Sequence, residues 1–301
     1  MIKQTLMFTS PVYLSLKDGQ LVITFKDNKD TVTRPIEDIG FVVIEHPEVS
    51  ISIPALNELA DNNVSVIFCD RKKMPKTMLM TLEGNTTQQE SYKYQIEASA
   101  PTKKNVWKQL VECKIRNQAL LLNKLGKNGD VLKQYYMNVK SGDTDNREGT
   151  AAREYWGRIF DEEFKRERDG LPPNNLLNYG YTILRAAVAR ALVGSGLYPA
   201  FGVFHRNRYN AFPLADDVME PYRPFVDEIV YHLYYDGAVS ELDNQAKSKL
   251  LRVLFSDVKM GKVTRPLENA LSLTTASLLR MYKGETDKLS LPLHYYPVKV
   301  D

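Results

Sequence analysis

Hydrophobic and polar positions alternate over short stretches in the first hundred residues, as in β-strands with one buried face. The runs 12–16 and 21–25 flank Asp18 and Gly19, a pair typical of a tight hairpin turn. Further strands are predicted at 31–33, 41–44 and 64–68, and one short helix at 54–62, with Pro54 at its first position. This pattern predicts a small sheet or sandwich with one helix.

Beyond residue 100 the apolar positions recur every three or four residues, the spacing of amphipathic helices. The first apolar stripe consists of Trp107, Leu110, Val111, Ile115, Gln118, Ala119 and Leu122. Further helices are predicted at 150–165, 176–192, 226–233, 245–255 and 267–283. The predicted fold class is α+β, with a β-rich domain (1–85), a linker (86–100), a larger all-α catalytic domain (101–286) and an extended C-terminal tail (287–301).

The composition favours a globular protein and argues against disulfide-rich and membrane proteins. Hydrophobic residues make up 43% and charged residues 26% of the 301-residue chain, which is typical of a globular protein. Its two cysteines exclude a disulfide framework and a cysteine-rich zinc site. No apolar run reaches the roughly 18 residues that a membrane span needs, and the first residues do not resemble a signal peptide. We therefore expect a cytoplasmic protein with no membrane partner.

The net charge of +3 conceals an uneven distribution. Residues 101–140 contain nine lysines and arginines against two acids, a net charge of +7, so the rest of the chain carries −4. Such a segment suits a polyanion such as nucleic acid, although a solvated helix surface or a protein interface explains it equally well. Its first lysines, Lys103, Lys104 and Lys108, are candidate DNA contacts.

Four acidic or imidazole side chains lie in unusual surroundings. Glu148 precedes a glycine where a loop enters a helix, and His205 follows a loop with three glycines and a proline. Asp217 and Glu220 are three apart, so on one helical turn both carboxylates point the same way. Taken singly, each has an ordinary explanation: a helix dipole partner, a structural histidine or a chance spacing. Together they suit a first shell for Mn²⁺ or Mg²⁺.

Three arginines near these residues offer binding groups for phosphate: Arg206, Arg208 and Arg223. A divalent cation beside arginines, on a chain with a basic helix, indicates phosphodiester chemistry. No P-loop, dinucleotide-binding, zinc-protease or serine-hydrolase motif is present in the sequence.

The same motifs carry a family resemblance. Residues 148–155 (EGTAAREY), the loop 196–206 and residues 214–224 (LADDVMEPYRP) closely resemble the CRISPR-associated integrase, the endonuclease-like protein of spacer acquisition. Residues 51–59 (ISIPALNEL) fit that family's β-rich half and 106–122 its first long helix. The resemblance covers essentially the whole chain, and the type II subtypes are the most similar.

The resemblance implies that Glu148, His205 and Glu220 bind the metal and that Asp217 has a supporting role. It implies a homodimer, two of which flank a dimer of the smaller second adaptation protein; other type II adaptation proteins are candidate further members. The DNA partners would be a short foreign double-stranded DNA and the CRISPR repeat, joined when each 3′-OH attacks a phosphodiester. The same site would have endonuclease activity.

Two other functions stay open at this point. A free-standing metal-dependent nuclease or branched-DNA resolvase would use the same residues without a partner. A DNA-binding scaffold with a vestigial site would need only the basic segment.

Overall fold

The chain forms two compact units, residues Met1–Thr86 and Thr87–Asp301. The computed structural model describes residues 4–27, 30–81, 83–167, 170–205, 207–237, 239 and 241–294. The predicted α+β class is confirmed: strands dominate the first unit and helices the second. The division between the units falls one residue after the end of the predicted β-rich domain.

The N-terminal unit contains two four-stranded sheets and one helix among its described residues. Their bounds are β1 (Gln4–Phe8), β2 (Val12–Lys17), β3 (Gln20–Phe25), β4 (Thr31–Pro35), β5 (Ile39–Ile44), β6 (Ser50–Ile51), α1 (Ile53–Asp61), β7 (Ser65–Cys69) and β8 (Pro75–Leu79). One sheet has the order β1-β5-β7-β8, with only the β7–β8 pair antiparallel. The other has the order β4-β3-β2-β6, with only the β2–β6 pair parallel.

The predicted hairpin and helix of this unit are confirmed. Lys17 pairs with Gln20, and the two turn residues, Asp18 and Gly19, both have positive φ, as a tight hairpin turn requires. The Ser52 side chain caps α1 by accepting a hydrogen bond from the Ala55 amide. Three strands were not predicted, because β6 has only two residues, β8 is partly exposed and β1 does not alternate clearly.

The second unit consists mainly of helices. The helices are α2 (Gln88–Glu97), α3 (Ala100–Lys124), α4 (Lys133–Tyr136), α5 (Arg147–Ile159), α6 (Asn174–Gly194), α7 (Pro213–Met219), α8 (Arg223–Tyr235), α9 (Asn244–Leu251) and α10 (Leu267–Tyr282). Helix α3 buries its whole predicted apolar stripe. No helix in the described part of the chain is long and apolar enough to cross a membrane.

Two details of the predicted organisation were wrong. The predicted linker contains α2, which buries the polar residues Ser91 and Gln95 and therefore lacks the apolar stripe that would have indicated a helix. The predicted all-α domain also holds a three-stranded antiparallel sheet. Its strands are β9 (Asp257–Met260), β10 (Val263–Pro266) and β11 (Leu293–His294). Only Val258 is buried in the β9–β10 hairpin, so hydrophobic alternation did not reveal it.

The C-terminal tail is extended where the structure describes it. Leu293 and His294 of β11 pair with β9, and the Pro292 carbonyl accepts a hydrogen bond from Asn117 of α3. The last seven residues of the predicted tail lie outside the described residues.

Candidate metal centre and active site

Glu148 lies in the first turn of α5, and its carboxylate does not cap the helix. The neighbouring Asn146 is the helix cap, and its side chain accepts a hydrogen bond from the Gly149 amide. Asp143 accepts hydrogen bonds from the amides of Arg147 and Glu148. Because other side chains cap the helix, Glu148 has no capping role. A Cβ at position 149 would lie 2.7 Å from Asn146 Oδ1, which explains the glycine there.

Glu220 begins a 3₁₀ turn (Glu220–Tyr222) directly after α7. Its side chain is 4% exposed, and its Oε1 accepts a 2.8 Å hydrogen bond from Nε of Arg223. Burial alone would raise the pKa of Glu220, but the charges of Arg223 and Lys114 outweigh it and lower that pKa to about 2. Glu220 is therefore ionised at any physiological pH.

Lys114 of α3 joins the two glutamates. Its Nζ lies 2.5 Å from Oε1 of Glu148 and forms a second ion pair with Oε2 of Glu220. Burial opposes its charged form, but the two carboxylates more than compensate and raise the pKa of Lys114. We call Glu148, Glu220, Lys114 and Arg223 the carboxylate cluster.

His205 lies on a separate loop that Asp217 holds in place. The fully buried carboxylate of Asp217 accepts hydrogen bonds from the amides of Val203 (2.7 Å), Phe204 (3.1 Å) and His205 (3.1 Å). Its Oδ1 also lies 2.6 Å from Nδ1 of His205. This hydrogen bond raises the pKa of His205, more than burial lowers it, and leaves Nε2 as the ring nitrogen available to a ligand. We call residues 203–205 with Asp217 the histidine loop.

Two structural features make the histidine loop rigid. Gly202 is required, because a Cβ there would lie 2.7 Å from the His205 carbonyl and 3.0 Å from Oδ2 of Asp217. On the other side, Phe204 stacks on the buried ring of Trp107, with ring centroids 4.1 Å apart. Trp107 also packs edge-on against His205.

Asp217 and Glu220 do not converge on a shared position, although their spacing suggested it. Asp217 binds the histidine loop, whereas Glu220 binds Lys114 and Arg223. Each carboxylate therefore has its own partners, and the repulsion that a shared cation would relieve is already compensated.

A cavity of about 240 Å³ adjoins the carboxylate cluster. Its lining contains all four cluster residues together with Gln118, Ala152, Trp156, Arg166, Tyr181 and Asp227. Asp227 is fully buried and accepts hydrogen bonds from the hydroxyls of Tyr155 and Tyr181. Burial raises its pKa to about 6, against the lowering effect of these hydrogen bonds. Arg223 lies over the Tyr181 ring, 4.4 Å from its centroid.

Sequence reasoning missed several of these side chains. Lys114 was counted only among the cations of the basic segment, yet it lies three residues after Val111 and four before Gln118, on the apolar stripe of α3. A lysine on a buried stripe was therefore a detectable signal. Arg166, Tyr181 and Asp227 carried no comparable signal, because only the packing of separate helices brings them to the cavity.

The two glutamates suit a hard divalent cation. Both are carboxylates, the donors that Mg²⁺ and Mn²⁺ prefer, and Oε2 of Glu220 is buried without a directed hydrogen bond despite its ion pair with Lys114. His205 is near enough for the charge of Glu220 to raise its pKa. However, no three His, Cys, Asp or Glu side chains among the described residues are close enough to share one ion. The structure therefore brings two of the three predicted ligands, Glu148 and Glu220, together on Lys114, whereas His205 lines a different cavity.

The predicted DNA contacts lie in different places. Arg223 belongs to the carboxylate cluster, whereas Lys103 and Arg208 line a cavity of about 490 Å³ that includes His205. Lys104 is exposed, and Lys108 forms a 3.5 Å ion pair with Glu112. Arg206 lies outside the described residues.

The family of the chain follows from its sequence relatives. Residues 6–269 match the family model of the CRISPR associated protein Cas1. The chain belongs to the Cas1 family. It is 37% identical over 278 residues to the CRISPR-associated endonuclease Cas1 of Neisseria meningitidis serogroup C (strain 8013), covering 91% of this chain and 90% of that Cas1.

Solved structures agree with the Cas1 fold. A casposase bound to an integration product superposes with a TM-score of 0.79 at 20% identity, covering 96% of this chain and 93% of the casposase. A chain of a partial Cas6-RT-Cas1–Cas2 complex gives a TM-score of 0.63 at 19% identity, covering 99% of this chain and 100% of that one. At these identities the similarity establishes the fold.

Proposed function

We propose that this Cas1-family chain is a metal-dependent DNA integrase of CRISPR adaptation, of a type II subtype, with associated endonuclease activity. It joins the 3′-OH ends of short foreign DNA to the CRISPR repeat. The relatives named as endonucleases and the casposase fold support a phosphodiester substrate.

The observation that carries this proposal is the carboxylate cluster. Glu148 and Glu220, from separate elements, both contact the buried Lys114 beside a cavity, and Arg223 contacts Glu220. The two carboxylates offer oxygen ligands for a hard divalent cation, and Arg223 beside them offers a partner for phosphate. Their convergence in a Cas1-family chain supports a site for Mn²⁺ or Mg²⁺ rather than a purely structural role.

Each side chain has a distinct task in the reaction. Glu148 and Glu220 would hold the ion, which supplies Lewis-acid charge at the scissile phosphate. Arg223 is placed to neutralise phosphate charge from the cavity side. His205 would contribute a third ligand through Nε2, because Asp217 occupies Nδ1. Asp217 is fully buried beneath the histidine loop and would act as a positioning residue.

The reaction balances without an added energy source. The oxygen of the incoming 3′-OH forms a new bond to phosphorus, and the bond from phosphorus to the 3′ oxygen of the repeat strand breaks. The attacking hydroxyl loses a proton and the departing oxygen gains one. No protein nucleophile is needed.

The partners follow from the same proposal. The casposase structure holds an integration product and another similar chain lies in a Cas1–Cas2 complex, which supports DNA and a Cas2-like protein as partners. We propose a homodimer, two of which flank one dimer of the small adaptation protein in the cytoplasm. Lys103 and Arg208, beside His205, are the predicted cations best placed to contact DNA near the site.

The test uses a branched DNA that mimics a half-integrated product, because its resolution reverses integration. The purified chain would be incubated with it in Mn²⁺, Mg²⁺ or EDTA. We expect metal-dependent rejoining of strands that Glu148→Ala, His205→Ala and Glu220→Ala abolish, while folding and most DNA binding persist.

Two control variants keep this test specific. Glu154→Ala removes a carboxylate from the same helix as Glu148, and His232→Ala removes an exposed histidine from α8. Both should retain activity. Cutting without rejoining would favour a free-standing nuclease, and DNA binding with no metal-dependent product, even with the small partner present, would favour a scaffold.

A further inference from the structure

Lys114 differs from its neighbours in the basic segment. Its side chain is 10% exposed, whereas those of Lys108 and Lys124 are 38% and 32% exposed. A buried ammonium is strongly unfavourable unless it is paired. Its position on the buried stripe of α3 directs the ammonium between Glu148 and Glu220.

The charges of the carboxylate cluster cancel. Two glutamates face one lysine and one arginine, and both oxygens of Glu220 are in contact with a cation. A divalent ion entering this cluster would leave it with an excess of positive charge. The cluster is therefore complete as it stands and disfavours a metal, even though its carboxylates are suitable ligands.

We propose that the Lys114 ammonium holds the place of the divalent ion in the metal-free protein and that substrate phosphate is needed to displace it. This inference rests on the metal-dependent function proposed above. Ammonium and metal compete for the same carboxylate oxygens. An arriving phosphodiester brings negative charge that both offsets the ion and offers the ammonium a new partner, so metal loading and DNA binding are coupled.

The surroundings of Lys114 permit this exchange. Its side chain has a flexible four-carbon stem. The adjoining cavity of about 240 Å³ is lined by Gln118, Trp156 and Tyr181, besides the charged groups. An ammonium displaced from the carboxylates can therefore stay near the reacting phosphate without crossing the core.

The test measures metal binding directly. Mn²⁺ would be titrated into the wild type, Lys114→Met and Lys114→Arg, with and without a branched DNA, and followed by electron paramagnetic resonance of free Mn²⁺. Lys124→Met is the matched control, because Lys124 lies on the same helix and pairs with Glu228 outside the cluster. Thermal unfolding in EDTA and in Mn²⁺ gives a second readout.

We expect Lys114→Met to bind Mn²⁺ without DNA about tenfold more tightly than the wild type, since it removes one adjacent positive charge. Lys114→Arg and Lys124→Met should resemble the wild type. DNA should tighten Mn²⁺ binding about tenfold in the wild type but much less in Lys114→Met. In EDTA the Lys114→Met melting temperature should fall, and Mn²⁺ should restore it.

Several outcomes would overturn the inference. Unchanged or weaker Mn²⁺ affinity in Lys114→Met would make Lys114 a structural counter-ion, and so would equal coupling to DNA in both proteins. If Lys114→Met did not fold, Lys114→Gln would replace it under the same criteria. Failure of the proposed function looks different: strand transfer would persist in EDTA and no protein would bind Mn²⁺, with or without DNA.

Discussion

The carboxylate cluster and the histidine loop bring the predicted site residues into position by different physical means. The glutamates of the cluster are held by ion pairs, and the Glu220 side chain is only 4% exposed. The histidine loop is held by three backbone amides on one carboxylate, and its His205 side chain is 39% exposed. The cluster therefore depends on the charges of Lys114 and Arg223, whereas the loop is held mainly by neutral backbone groups.

The largest expected effect comes from neutralising a carboxylate in the cluster. Glu148→Gln keeps the size of the side chain but removes half of the negative charge available to an ion. We expect integration to slow by about 10³-fold or more, a typical loss for an electrostatic group at a reacting centre. Single-turnover strand transfer measures it. Glu154→Gln, on the same helix but paired with Arg158 at the surface, should change the rate by less than about twofold.

Substitutions that remove the support of the histidine loop should lower the stability of the protein. Asp217→Ala leaves the buried Val203 amide and two neighbouring amides without their acceptor, so we expect a loss of about 3–5 kcal/mol in unfolding free energy. Urea denaturation measures it. The control is Asp236→Ala, which removes the surface partner of His232 at the same 2.6 Å separation and should cost less than about 1 kcal/mol. Equal losses would contradict the buried role of Asp217.

The cavity beside the carboxylate cluster should make the stability of the protein depend on pH, through the buried carboxyl of Asp227. Its pKa is about 6 in the folded protein, above the ordinary value of 3.8. Between these values the unfolded chain releases its proton first, so the Asp227 contribution to stability falls as pH rises from about 4 to 6 and then levels off. The difference corresponds to about 3 kcal/mol.

Asp227→Asn cannot titrate but keeps a side chain of the same size. Urea denaturation at pH 4.5 and 7.5 should therefore show a smaller loss of stability in the variant than in the wild type over this interval. Parallel pH profiles for the two proteins would show that Asp227 has no raised pKa.

The smallest effects come from two glycines. Gly202→Ala would force a Cβ against the His205 carbonyl and the Asp217 carboxylate, and we expect a loss of about 1–3 kcal/mol. Gly157→Ala, within α5, meets only the Cα of Glu162 at 3.9 Å and should stabilise the helix by about 0.5–1 kcal/mol. Paired thermal denaturation checks both. Unchanged or increased stability in Gly202→Ala would contradict the close packing of the histidine loop.

The sequence by itself determined the elements and the family motifs. The hairpin at Asp18, helix α1 and the buried stripe of α3 follow from local periodicity and turn residues, which depend on neighbours in the chain. The motifs around Glu148, His205 and Glu220 likewise indicated a site. Helix α2 and the three-stranded sheet were not predicted, because their buried positions are few or polar.

Tertiary structure alone decided how the site is arranged. Lys114 comes from a helix that begins 48 residues before Glu148, yet it lies between the two glutamates. Asp217 contacts the histidine loop instead of the partners of Glu220. Asp227 reaches the cavity through the packing of α8 against the helices that carry Tyr155 and Tyr181. Periodicity shows which face of a helix is buried, but not which side chains of other elements contact that face. The charge balance of a site depends on those contacts between elements.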